Sequence, residues 1–118
     1  MQNNQSNPVR QLIIKRHFDA AHKLENYAGD CANLHGHRWE VEFHIRAPEL
    51  ENGIAIDFTE AKNALDKLLP DHRYLNDIIK QPTAENIAEY LFLQAEKLYS
   101  LDKVVVWETP ECAATYCR

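Results

Sequence analysis

Apolar and polar side chains alternate along the first part of the chain. From Val9 to His22 one parity carries Leu12, Ile14, Phe18, Ala20 and His22, and the other carries Lys15, His17 and Asp19. A period of two marks a half-buried strand, here with His22 at the end of its apolar face. The pattern is clearer from Leu34 onward. His35, His37, Trp39, Val41, Phe43 and Ile45 share one face, and Arg38, Glu40, Glu42, His44 and Arg46 share the other. The stretch Glu25 to Asn33 between the two runs, with Gly29 free to adopt tight backbone geometry, predicts a hairpin connection.

The period then changes. After a turn-like Pro48 to Gly53, Asp57 stands three residues before Glu60, the spacing of a capped helix start. Ala61, Ala64, Leu65, Leu68 and Leu69 recur at helical intervals, and Pro70 lacks the N–H needed to continue that helix. Thr83 caps a second predicted helix, with Ile87, Leu91, Ala95 and Leu98 as its buried stripe and an end near Ser100. Lys103 to Thr109 is rich in β-branched residues and predicts a third strand; Cys112 to Cys117 predicts a fourth.

The order β-β-α-α-β-β predicts one α+β domain over residues 9–118, preceded by a flexible polar tail over residues 1–8. Two helices should cover one face of a four-stranded antiparallel sheet. Such a sheet keeps two open edges, so pairing between subunits is expected, with the polar face of the second strand lining a wet barrel interior.

The formal charge of −5 argues against a nucleic-acid or membrane-surface binder, which would carry a basic excess. Apolar runs such as Val104 to Trp107 are too short to cross a bilayer. The cysteines are Cys31, Cys112 and Cys117, an odd number in a chain that shows no charged-then-apolar leader. A reduced, cytoplasmic compartment is the expectation.

The candidate chemistry lies where the first two strands meet. His35 and His37, two apart on a strand, project from one face, and parity turns His22 to the same side of a neighbouring strand. Each histidine alone could simply pack or cap a strand. Three that converge by separate parity arguments point to a metal, and three imidazoles leave one position of a tetrahedral zinc open. Cys31 admits three readings: a thiolate base beside the cation, a fourth ligand closing a structural site, or a small buried hydrophobe. Asp71 beside His72, at a helix end or in the following loop, can orient that ring for proton transfer. Glu108 ends an apolar strand, either as an exposed terminus or as an acceptor for the amino group and ring N–H of a ligand.

Six motifs occur in order: Phe18-Asp19-Ala20-Ala21-His22, Cys31-x-x-x-His35-Gly36-His37, Asp57-Phe58, Asp71-His72-x-x-Leu75-Asn76, Pro82-Thr83-Ala84-Glu85-Asn86 and Glu108-Thr109. Together they resemble the 6-pyruvoyl-tetrahydropterin synthase family over nearly the whole chain after Val9. The three-residue spacer between Cys31 and His35 is similar to that of the bacterial carboxy-forming branch, the 6-carboxy-tetrahydropterin synthases of queuosine biosynthesis. Forms that feed folate synthesis carry a glutamate at or beside the cysteine, where this chain has Ala32. Pro70 departs from the leucine common before Asp-His in the family.

The resemblance implies a tunnelling fold, with three subunits closing a barrel and two rings stacking as a hexamer. It implies zinc on His22, His35 and His37, a proton-abstracting Cys31, a relay of Asp71 and His72, and Glu108 as pterin anchor. The implied substrate is 7,8-dihydroneopterin triphosphate, and acetaldehyde and triphosphate leave as 6-carboxy-5,6,7,8-tetrahydropterin forms. A pyruvoyl-type synthase, a structural zinc module without activity and a zinc hydrolase are the rival expectations.

Overall fold

The structure, a computed structural model, describes residues 10–118. The tail expected over residues 1–8, and Val9 at the start of the first expected strand, lie outside the described residues. Four strands and two helices follow the expected order: β1 Gln11–His22, β2 His35–Arg46, α1 Phe58–Asp66, α2 Ala84–Ala95, β3 Leu101–Thr109 and β4 Cys112–Cys117. The sheet order is β1-β2-β3-β4, antiparallel throughout.

Register follows from burial. A one-residue slip would turn every core side chain of β2 to the outer face, and Trp39, Val41, Phe43 and Ile45 are all fully buried. They meet Ile14, Phe18 and Ala20 of β1, Val104 and Val106 of β3, and the apolar stripe Ile87, Ala88, Leu91, Phe92 and Ala95 of α2. Both helices begin at the expected caps. The Asp57 carboxylate accepts from the Thr59 and Glu60 N–H groups, and the Thr83 hydroxyl accepts from the Asn86 N–H.

Helix ends differ from expectation. α1 stops at Asp66, because the Leu68 and Leu69 N–H groups reach back only three residues, to the carbonyls of Leu65 and Asp66. That tightened turn carries the chain to Pro70. α2 ends at Ala95, so Leu98 lies beyond the helix and is 49% exposed instead of buried. His44, expected on the wet face of β2, is 6% exposed under its neighbours. Among the described residues no helix is long and apolar enough to cross a membrane.

Two irregularities shape the functional end of the sheet. Trp107 pairs with Ala113 and Thr109 with Cys112, so β3 holds one extra residue, Glu108, at a bulge. The segment after Pro70 runs back along the free edge of β1: the His72 N–H donates to Asp19 O at 2.7 Å, and Tyr74 forms a parallel bridge with Ala21.

Candidate metal centre and active site

Antiparallel pairing sets His22 of β1 directly opposite His35 of β2, at the mouth of the hairpin, and His37 follows on the same face. The three rings stand edge to face, with centroids 4.5, 5.3 and 4.8 Å apart. Fully buried Trp39 forms their floor, with its ring 4.9 Å from His22 and 5.1 Å from His37. One nitrogen from each histidine lies within 4.8 Å of the other two.

Hydrogen bonds decide what these nitrogens can do. His22 Nδ1 lies 2.7 Å from Pro82 O, and His35 Nδ1 lies 2.7 Å from Asn33 O. A carbonyl oxygen only accepts, so each Nδ1 carries the proton and each neutral ring presents a bare lone pair at Nε2. Those two Nε2 atoms face each other at 3.0 Å. Two bare lone pairs at that distance repel unless a shared proton or a metal cation lies between them. His37 Nε2 is buried and has no hydrogen-bond partner, a cost that a ligand bond would remove. Tetrahedral coordination with bonds near 2.0 Å sets nitrogens about 3.3 Å apart, close to what the first pair shows. The residues present therefore fit a metal ion, and carbonyl-bound Nδ1 atoms are the usual way of orienting such ligands.

Burial holds the His22 imidazole below the ordinary histidine range, against the raising effect of its bond to Pro82, and His35 and His37 push it the same way. His37 is lowered as well, by burial first. Neutral rings are the ligand form of histidine.

Glu108 reaches the same cavity from β3. Its Oε2 lies 3.6 Å from His22 Nε2 and 3.8 Å from His37 Nε2, and its side chain is 28% exposed. The bulge aims this carboxylate at the histidines while Trp107 stays on the outer face. A cleft of about 420 Å³ opens beside it, lined by His37, Arg38, Glu40, Trp107 and Thr109 among others.

Asp71 and His72 form a separate cluster on the edge of β1. Asp71 Oδ2 lies 2.9 Å from His72 Nδ1, and Asp71 Oδ1 accepts from the Asp19 N–H at 2.9 Å. The Asp19 bond, followed by the His72 bond, holds the Asp71 carboxyl below the usual range. His72 adopts a left-handed backbone, φ 59°, a strained conformation kept by its N–H bond to Asp19 O. A second cleft joins the two clusters, with His37 and His72 both in its wall. Cys31 is half-buried on a short 3₁₀ turn, Asp30–Ala32, and is not one of the grouped metal-ligand residues.

Residues 11–118 match the family model of 6-pyruvoyl tetrahydropterin synthase. The chain belongs to the 6-pyruvoyl tetrahydropterin synthase family. It is 37% identical over 111 residues to the 6-carboxy-5,6,7,8-tetrahydropterin synthase of Synechocystis sp., covering 84% of this chain and 86% of the relative. It is 31% identical over 134 residues to the 6-pyruvoyl tetrahydrobiopterin synthase of Drosophila melanogaster, covering 92% and 80%. The solved structure of Caenorhabditis elegans 6-pyruvoyl tetrahydropterin synthase superposes with a TM-score of 0.81 at 28% identity, covering 94% of this chain and 96% of that one.

As a pterin synthase of this family the chain is an enzyme, and its sites are distributed unevenly. The structure brings His22, His35, His37 and Glu108 together, pairs Asp71 with His72, and leaves Cys31 outside the histidine group. Sequence reading named Pro82 in a motif without its role and missed Asn33; each contributes a carbonyl oxygen. A backbone group has no side-chain signature, and the one available sign was that Pro82 immediately precedes the Thr83 cap. It also missed the bulge at Glu108, which depends on pairing with β4.

Proposed function

We propose that the chain is a zinc-dependent 6-carboxytetrahydropterin synthase. It converts 7,8-dihydroneopterin triphosphate to 6-carboxy-5,6,7,8-tetrahydropterin, a step toward the queuosine base of tRNA. The observation that carries the metal reading is the lone-pair geometry. Two Nε2 atoms face each other at 3.0 Å with their Nδ1 protons committed to carbonyls, and a third is buried without a partner. His22, His35 and His37 would hold the zinc through their Nε2 atoms, and three protein ligands would leave room for substrate.

When bound, zinc supplies Lewis-acid polarisation of the substrate's side-chain hydroxyls. Cys31 as thiolate removes a side-chain proton. His72, oriented by Asp71, exchanges protons on the opposite side of the substrate. Glu108 accepts the pterin amino and ring N–H groups through its two oxygens. Of the three side-chain carbons, one stays as the carboxyl and two leave as acetaldehyde. Triphosphate departs with its ester oxygen, one water supplies the second carboxyl oxygen, and the two remaining hydrogens pass to the ring.

The similarity to the Synechocystis relative and the three-residue spacer before His35 support the carboxy product over a pyruvoyl one. The outer edge of β4, and that of β1 apart from its Asp19–Ala21 end, pair with no strand, which supports closure of a barrel by three subunits, two rings stacking as a hexamer in the cytoplasm. The test is incubation of the protein with 7,8-dihydroneopterin triphosphate, with and without chelator, followed by product identification. Metal-dependent release of acetaldehyde and a carboxylated pterin is expected. A pyruvoyl pterin without acetaldehyde would move the chain to the pyruvoyl branch, and no product would remove the catalytic reading.

A further inference from the structure

A polyanionic substrate must find cations on a protein whose formal charge is −5, and the structure sorts the candidates. Arg16 is gripped at both ends of its fork by Asp66, at 2.7 and 2.8 Å. Arg38 is gripped in the same way by Asp19, at 2.9 and 3.0 Å. In both, the carboxylate takes the Nε–Nη2 edge and neutralises the charge, so a phosphate would meet only the Nη1 side of an already paired cation. Lys15 and Lys23 line neither the cleft beside Glu108 nor the one between His37 and His72.

Arg73 is different. It lines the wall of the cleft that contains His37 and His72. Asp19 in that wall is paired with Arg38, and His72 with Asp71. Arg73 has no ion-pair partner among the described residues. Its backbone is nevertheless pinned. Arg73 O accepts from the Ala21 N–H at 3.3 Å, the preceding His72 N–H is bonded to Asp19 O, and the following Tyr74 bridges Ala21. A cation with an unused planar fork, held on a fixed segment and opening on the same cleft as a metal-site histidine, is built for a terminal phosphate group.

We propose that Arg73 is the phosphate-recognition residue of this site, and that it distinguishes a polyphosphorylated substrate from its unphosphorylated counterpart. This rests on the pterin reading above for the rest of the ligand, whereas the anion subsite stands on the geometry of the cleft. Arg73 does not touch the bond-breaking atoms; it sets affinity through the phosphate end.

The experiment compares zinc-loaded wild-type protein with Arg73→Ala and Arg73→Lys. The Michaelis constant is measured for 7,8-dihydroneopterin triphosphate, which the zinc-loaded protein turns over, and dissociation constants for unphosphorylated 7,8-dihydroneopterin and inorganic tripolyphosphate, with metal content checked before and after. Wild type should prefer the triphosphate, and Arg73→Ala should weaken it roughly tenfold to a hundredfold while leaving unphosphorylated dihydroneopterin unchanged. Lysine should restore part of the preference, because it keeps the charge without the fork, and added salt should erode it in wild type more than in the alanine variant. Equal weakening of both pterins, or an undiminished preference in Arg73→Ala, would overturn the proposal. Tripolyphosphate bound by wild type and not by Arg73→Ala, with neither pterin bound, would keep the anion subsite and remove the pterin reading.

Discussion

His37 and His44 lie on the same strand, β2, on opposite faces, and both are largely withdrawn from water. Their surroundings differ in one respect that decides their roles. His44 Nε2 meets Glu42 Oε1 at 2.8 Å and its Nδ1 meets Gln11 Oε1 at 3.2 Å. The Gln11 amide nitrogen donates to Asp102, which fixes its oxygen toward the ring, and the second Glu42 oxygen accepts from Trp107 Nε1. His44 thus has an acceptor oxygen within reach of each ring nitrogen, in a network that ties β1, β2 and β3. His37 Nε2 has no hydrogen-bond partner, and its nearest carboxylate oxygen, Glu108 Oε2, stays 3.8 Å away. Burial alone does not separate a structural histidine from a ligand; the inventory of its ring nitrogens does.

The comparison is sharpened most by removing His37. His37→Ala should keep the fold and lose metal affinity by far more than the roughly 10–100-fold that a supporting hydrogen bond is worth, as read by metal content after dialysis. His44→Phe should do the reverse. Metal content should stay at the wild-type level, and denaturant unfolding should show a loss of about 1–3 kcal/mol, because Glu42 and Gln11 are left with unmet bonds.

A smaller effect accompanies it. Burial pushes the Glu42 carboxyl up, but its bonds to His44 and Trp107 outweigh that and hold it below the usual range. Its stabilising contribution is therefore present above the ordinary glutamate range and is lost as pH falls through the depressed folded value. That acid-side loss should shrink in His44→Phe. Loss of metal in the His44 variant with retention in the His37 variant would reverse both assignments.

Parity made much of this legible from residues alone. The alternation through Phe18, Ala20 and His22, and through His35, His37 and Trp39, was enough to gather three imidazoles at one hairpin mouth, because strand pairing leaves few other arrangements. Features that depend on distant partners were not legible. Leu98 continued the helical stripe in sequence, but α2 had already ended at Ala95. The polar pattern placed His44 on a wet face, whereas Gln11, Glu42 and Trp107 enclose it. From sequence the Asp71–His72 pair could be placed only at a helix end or in the loop after it. Its position comes from edge bonds to Asp19 and Ala21, about fifty residues earlier in the chain.

Three histidine nitrogens sharing one metal with an open fourth position would leave a distinct signature in X-ray absorption at the zinc edge of metal-loaded protein. Three nitrogens near 2.0 Å with one light oxygen scatterer, and no sulfur, is the expected sphere. A sulfur shell near 2.3 Å would place Cys31 on the metal, close the site and contradict the enzymatic account.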